Sequence, residues 1–314
     1  MNAALADVVA GRLGLLPFAV GVCQLLERDG PHIAARSRGT SANGACRLLS
    51  AADGWVAVNL ARDDDIDLVT ALTGLSGAAW DDLEATVQVT AADEFVARGA
   101  ELHMPIAMLG EAAPLGLASR TGSATNLRVV DLSVLWAGPL CAGLLAQAGA
   151  EVIRIENRGR PDPTPTAWPG LNRWLNGAKS IVDLDLSTAA GKARLGEEIA
   201  TADVIVTSAR ARALASLGLE DQLLNTRPGL IWAAITAHGW AVDRVGFGDD
   251  CAVAGGLVAW REGEPQFLGD ALADPLTGLE AALAVLDRAQ QGHGGRIDLA
   301  MARTAAAYGE LIGR

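Results

Sequence analysis

Apolar positions come in short blocks from residue 127 onward, and the blocks alternate in period. Leu127-Arg128-Val129-Val130-Asp131-Leu132 is a nearly continuous apolar run and predicts a buried strand. Ala137 to Ala148 has small and apolar residues at helical spacing, and Gly149 suits its C-terminal stop. Strands are predicted again at Glu151 to Glu156, Ser180 to Asp185, Val204 to Val206 and Leu230 to Ile235. Between them lie helical patterns over Ala189 to Ala200 and near Ala211 to Leu217. Strands alternating with helices predict parallel βαβ units with helices on both sheet faces. Ligands of such sheets sit at the carboxyl ends of the strands.

The earlier part reads differently. Asp53-Gly54 predicts a turn, and Trp55 to Leu60 alternates as a half-buried strand does. Asp63-Asp64-Asp65 suits a helix N-terminus, where negative charge meets the positive end of the helix dipole. Ala91 to Ala100 is a further helical stretch, so this block reads as a small α/β domain. Gly30 to Asn43 reads as a loop, and the Gly/Ala/Ser-rich stretch ending at Asn126 as a linker. The expected division is 1–112 (N-terminal segment and small domain), 113–126 (linker) and 127–314 (Rossmann-like domain).

Composition narrows the function classes. Half of the 314 residues are hydrophobic, so the chain can bury a core and is not a disordered segment. The formal net charge of −12 disfavours nucleic acid and anionic lipid as partners. Leu13 to Leu26 is too short to span a bilayer and contains Pro17. Four scattered cysteines without a CxxC pair predict buried thiols in a reducing compartment, hence a cytoplasmic protein. Four histidines, equally scattered, predict no metal site. Lys179 and Lys192 are the only lysines, so an anionic ligand would be met mostly by Arg or backbone N–H groups.

Candidate chemistry concentrates at two places. The first βα turn, Asp131 to Pro139, lacks the GxGxxG of dinucleotide sites, but Gly138-Pro139 opens a helix whose N–H groups could meet an anion. Asp274 precedes Pro275 and a long apolar helix; a helix N-cap and a held nucleophile both fit that place. Asp249-Asp250 reads as a helix cap that stays ionised, and His238 as a loop histidine beyond a strand end.

From Arg128 to about Tyr308 the chain resembles the family III CoA-transferases, which include formyl-CoA transferase, carnitine CoA-transferase and α-methylacyl-CoA racemase. The resemblance rests on Val130-Asp131-Leu132-Ser133 with Ala137-Gly138-Pro139, Leu145 to Glu156 (LAQAGAEVIRIE) and Leu175 to Asp185 (LNGAKSIVDLD). It continues through Ala202 to Val206, Leu217-Gly218-Leu219, Ala273 to Leu286 (ADPLTGLEAALAVL) and Gly292 to Met301 (GHGGRIDLAM). It implies a Rossmann-like CoA-binding domain, coenzyme A as substrate, and an interlocked homodimer. The family's catalytic aspartate aligns with Asp274. Trp136, Ala137 and Gly138 would line the thioester end, while Arg158, Lys179 and Arg210 would meet the CoA phosphates. The implied reaction moves CoA from an acyl-CoA to a carboxylic acid through an aspartyl-CoA thioester. An acyl-CoA racemase or epimerase and a non-catalytic CoA-binding subunit are the alternatives. Three departures stand out. The block resembling the family's small domain comes first, the Lys179 loop is a residue short, and Phe247 stands where the racemases carry a catalytic His.

Overall fold

The computed structural model describes residues 2–28, 39–119, 122–216, 219 and 228–313. Part of the expected 30–43 loop, the end of the helix expected near Ala211 to Leu217, and Leu217-Gly218 lie outside them.

The predicted βαβ pattern folds into a six-stranded sheet. Its strands are β4 (Arg128–Asp131), β5 (Glu151–Asn157), β6 (Ser180–Leu184), β7 (Val204–Thr207), β8 (Ile231–Thr236) and β11 (Gly295–Ala300). They run in the order β11-β8-β7-β4-β5-β6, with every neighbouring pair parallel. That is the Rossmann order, in which the direction of strand addition reverses between β4 and β7 and opens a crevice at their carboxyl ends.

Alternation divides the central strands between two cores. Val129, Val152, Val206 and Ala233 pack with the helices Ala137–Gln147, Ala273–Gln290 and Met301–Leu311. Val130, Ile153, Ile205 and Trp232 face the other side, with Leu195 and Ile199 of the helix Ala189–Thr201. The central strands β7 and β8 are mostly apolar because both sheet faces are covered, whereas β4 and β5 also bury Asp131 and Arg154.

The small unit holds a three-stranded antiparallel sheet. Its strands are β1 (Cys46–Ser50), β2 (Trp55–Asn59) and β3 (Ile106–Met108). β2 is buried over nearly its whole length rather than half-buried, because both of its faces are covered. Val56 and Val58 meet helices of the small unit itself, among them Ala79–Val87 and Ala92–Glu101. Ala57 on the opposite face meets Val253 of the helix Gly248–Ala254. A short hairpin, β9 (Val258–Arg261) and β10 (Glu264–Phe267), follows that helix.

Residues 2–28 depart from the expected division. They do not join the small unit; Leu5, Val9, Leu13, Leu25 and Leu26 are buried in the large core. The helix Ala3–Leu13 is further tied down by Arg12, whose Nε donates to Glu280 at 2.8 Å. Tyr308 donates to the same carboxylate at 2.8 Å. Of the cysteines, Cys46, Cys141 and Cys251 are buried as expected, whereas Cys23 is exposed.

Candidate active site

The first βα turn is held by a buried polar network. Asp131, the last residue of β4, accepts the Ser133 backbone N–H at 3.0 Å and the Ser133 hydroxyl. Lys179 donates to Asp131, to the Pro139 carbonyl and to Asn176, each at 2.8 Å. Its three N–H donors are therefore engaged, and its side chain is fully buried. This corrects the expected phosphate contact: Lys179 is an internal strut. Its opposite charge and that of Arg154 hold the Asp131 carboxyl below its usual range, against a burial that works the other way. Gly138 is also internal, because a Cβ there would collide with Ser133. The turn passes through Leu135 at φ +68°, a left-handed conformation that costs a non-glycine residue energy.

That turn delivers Ala137 to Asp274. The backbone N–H groups of Ala137 and Gly248 lie close enough to the Asp274 carboxylate to favour its ionised form. Both donors open helices, and Asp274 itself lies in the first turn of Ala273–Gln290. Asp274 is not an N-cap: Leu272 holds that position, and no side chain makes a cap bond there. Gly248 must be glycine here, since a Cβ would strike the Asp274 carboxylate. The preceding turn again holds a left-handed residue, Ala271 at φ +46°. Burial pushes the Asp274 carboxyl up to about 7, outweighing the neighbouring Arg28 and the two N–H donors.

Further carboxylates crowd this place. Burial and Asp270 push Asp249 up to about 7, although it accepts the Ala271 N–H at 2.8 Å. Asp250 is likewise pushed to about 7 by burial. It accepts from Asn59 at 2.9 Å and from the Phe247 N–H at 3.0 Å, capping its helix as expected. Complete burial thus works against the expected full ionisation of this cap. His238 is pushed down to about 3 by burial and by Arg244, so it is neutral. One set of ligand-capable atoms, from His238, Asp250 and Cys251, lies within 4.8 Å of one another, which the scatter in sequence concealed.

Arg28 is the residue that sequence reasoning missed. Its Nε donates to Asp270 at 2.7 Å and its Nη2 to the other oxygen. Its guanidinium lies 4.4 Å from the Trp168 ring centre and 5.2 Å from that of Trp136, within cation–π range. Trp136 is buried, and its indole N–H has no partner among the described residues.

The expected phosphate arginines pair with acids other than those around Asp274. Arg158, just beyond β5, is largely exposed and donates to Asp183 at 2.7 Å. Arg210, beyond β7, sits 3.3 Å from Asp243. Partial burial and the nearby Arg212 and Arg62 push its pKa down. Arg212 in turn meets His103 of the small unit at 2.9 Å. The Val134 N–H donates to Ser208 at 3.0 Å, joining the turn after β4 to the loop after β7 at the crevice.

The family model for CoA-transferase family III matches residues 125–310. The chain belongs to that family. Among its relatives are two proteins of Chloroflexus aurantiacus. The succinyl-CoA–D-citramalate CoA-transferase is 30% identical over 192 residues, covering 55% of this chain and 48% of its own length. The succinyl-CoA–L-malate CoA-transferase beta subunit is 34% identical over 195 residues, with coverages of 56% and 48%. Among solved structures, a CAIB/BAIF family protein from Brucella suis is 28% identical with a TM-score of 0.53, covering 59% of this chain and 55% of its own. A hypothetical protein from Mycobacterium tuberculosis is 29% identical with a TM-score of 0.55, with coverages of 60% and 58%. This family III chain spans about half the length of the curated relatives it matches. No helix among the described residues is long and apolar enough to cross a membrane.

Proposed function

We propose that the chain transfers CoA from an acyl-CoA to a carboxylic acid, with Asp274 as the nucleophile. The observation that supports the reading most is the carboxylate of Asp274 in the first turn of its helix, packed against the helix start at Gly248 so closely that only glycine fits there. In its ionised form an Asp274 oxygen attacks the thioester carbonyl. The C–S bond breaks, giving a mixed anhydride and CoA thiolate. The thiolate attacks the aspartyl carbonyl and expels the donor's carboxylate, leaving an aspartyl-CoA thioester. The acceptor carboxylate then attacks that thioester and releases the thiolate. The thiolate takes the acceptor's acyl group from the second anhydride and restores the Asp274 carboxylate. The N–H groups of Ala137 and Gly248, near the Asp274 carboxyl, are the donors proposed to stabilise the developing oxyanions.

CoA would enter along the carboxyl ends of the strands, with its phosphates met by Arg158 and Arg210. Arg210 is favoured by its neighbours, since Arg62 and Arg212 lie near it and one carboxylate, Asp243, is shared between Arg210 and Arg212. Trp136 and Ala137 border the thioester end. An interlocked homodimer working in the cytoplasm completes the proposal. Racemisation is disfavoured at two positions: Phe247 cannot exchange a proton, and His238, pushed down to about 3 by burial and Arg244, is a weak base.

The test is acceptor dependence. Succinyl-CoA, suggested by the relatives' substrates, is incubated with a panel of organic acids in deuterated water. A new acyl-CoA that requires both acid and enzyme and disappears in Asp274→Asn is the expected outcome. Enzyme-dependent deuteration at the α-carbon of 2-methylacyl-CoA, without any transfer, would replace this reading with racemisation.

A further inference from the structure

We infer that Arg28 forms the subsite for the carboxylate of the organic acid that exchanges at Asp274. The inference rests on the transfer reading and names the residue that selects its acid. The first argument is charge. An anionic acid must approach a place that already holds Asp249, Asp270 and Asp274. Arg28 favours the ionised form of both Asp249 and Asp274, against the burial that raises them. A second carboxylate cannot come close without such a partner, because like charges in a water-poor site repel strongly.

The second argument is geometry. The two bonds to Asp270 use Nε and Nη2, and no bond from Nη1 reaches a described residue. A guanidinium can fork to two carboxylates at once, so an incoming acid can take the Nη1 edge while Asp270 keeps the other. The rings of Trp136 and Trp168 hold the guanidinium in place and offer apolar walls for the acid's carbon chain. Trp136 is followed directly by Ala137, whose backbone N–H lies near Asp274, so guanidinium and nucleophile flank the same turn. The buried, unpartnered indole N–H of Trp136 is a further donor there.

The third argument is anchorage. Leu25 and Leu26 are buried just before Arg28, and Arg12 ties the same segment to Glu280. Arg28 lies outside the family-matched residues 125–310, so the acid would be chosen by a segment the family model does not cover.

The test titrates the full chain with sodium propionate and with propionamide, its uncharged counterpart, by ligand-observed NMR. The wild-type chain should bind propionate and discriminate against propionamide. Arg28→Gln should weaken propionate binding at least about tenfold, and Arg28→Lys should fall between because it keeps charge but loses the fork. Melting curves confirm that both variants fold, and should Arg28→Gln not fold, the loss in Arg28→Lys decides. Equal propionate affinity in wild type and both variants, equal binding of propionamide, or no propionate binding at all would overturn the inference. Because the readout is binding, it separates the two claims. Arg28-dependent acid binding without any Asp274 thioester would sink the transfer reading alone, and a thioester with Arg28-independent binding would sink this one alone.

Discussion

Asp274 is a nucleophile whose supply depends on pH. With its carboxyl near 7, the reactive anion accumulates as pH rises through that value. The rate of adduct formation with an acyl-CoA should therefore climb between pH 6 and 8 and then level, measured as a pH profile at saturating donor. The same burial has an inverse signature in stability. Asp249, Asp250 and Asp274 sit near 7 when folded, against 3.8 as the ordinary value. Between these limits the folded state binds more protons than the unfolded one. Stability is thus gained as pH falls from 7 towards 4 and lost as pH rises. The melting temperature should be higher at pH 5 than at pH 8, and Asp249→Asn should raise it at pH 8. An unchanged or opposite trend would show these carboxyls to be ionised throughout. Lys179 belongs to the same scale. Replacing it by Met leaves Asp131 buried without its ammonium, which should cost about 3–5 kcal/mol in denaturant unfolding. A Lys179 that instead met CoA would lose ligand affinity and little stability.

Helix packing sets where the Ala137 N–H points. The helices Ala137–Gln147 and Ala273–Gln290 meet at Gly278, where a Cβ would come within 2.6 Å of the Ala137 carbonyl and 2.9 Å of the Leu140 Cβ. Gly278→Ala should push the helices apart, cost about 1–3 kcal/mol, and reduce adduct formation more than CoA affinity. Activity equal to wild type would show that the two helices tolerate the shift. Elements with their own hydrophobic signal were legible in the sequence. β4, β7 and β8 are mostly apolar runs and β5 alternates with charged residues, and Asp274 stood out before Pro275 and a long apolar helix. Elements that owe their order to packing were not. β3 is three residues long and exists because β2 pairs with it. The helix Ala3–Leu13 reads as ordinary apolar chain, and only the large core assigns it a place. Arg28 was invisible for the same reason: its partner Asp270 is 242 residues away, and no local pattern joins them. Lys179 was misread because a lysine in a loop looks available until its three acceptors assemble around it.

At the scale of the molecule, the small unit precedes the Rossmann unit, and residues 2–28 cross back to complete the large core. The catalytic proposal draws on all three. Arg28 comes from the first segment, Arg62 from the small unit, and Asp274 and Arg210 from the large one. Asn59 of the small unit also bonds Asp250 beside the site at 2.9 Å. The account stands or falls on a covalent event at one residue of this assembly. The full chain is incubated with succinyl-CoA, quenched, digested and read by mass spectrometry, with borohydride added to trap any thioester. The account predicts CoA mass on the peptide carrying Asp274, convertible by borohydride and absent from Asp274→Asn. CoA mass on a peptide carrying Asp249 or Asp270 instead, or none on any peptide while transfer proceeds, would contradict it.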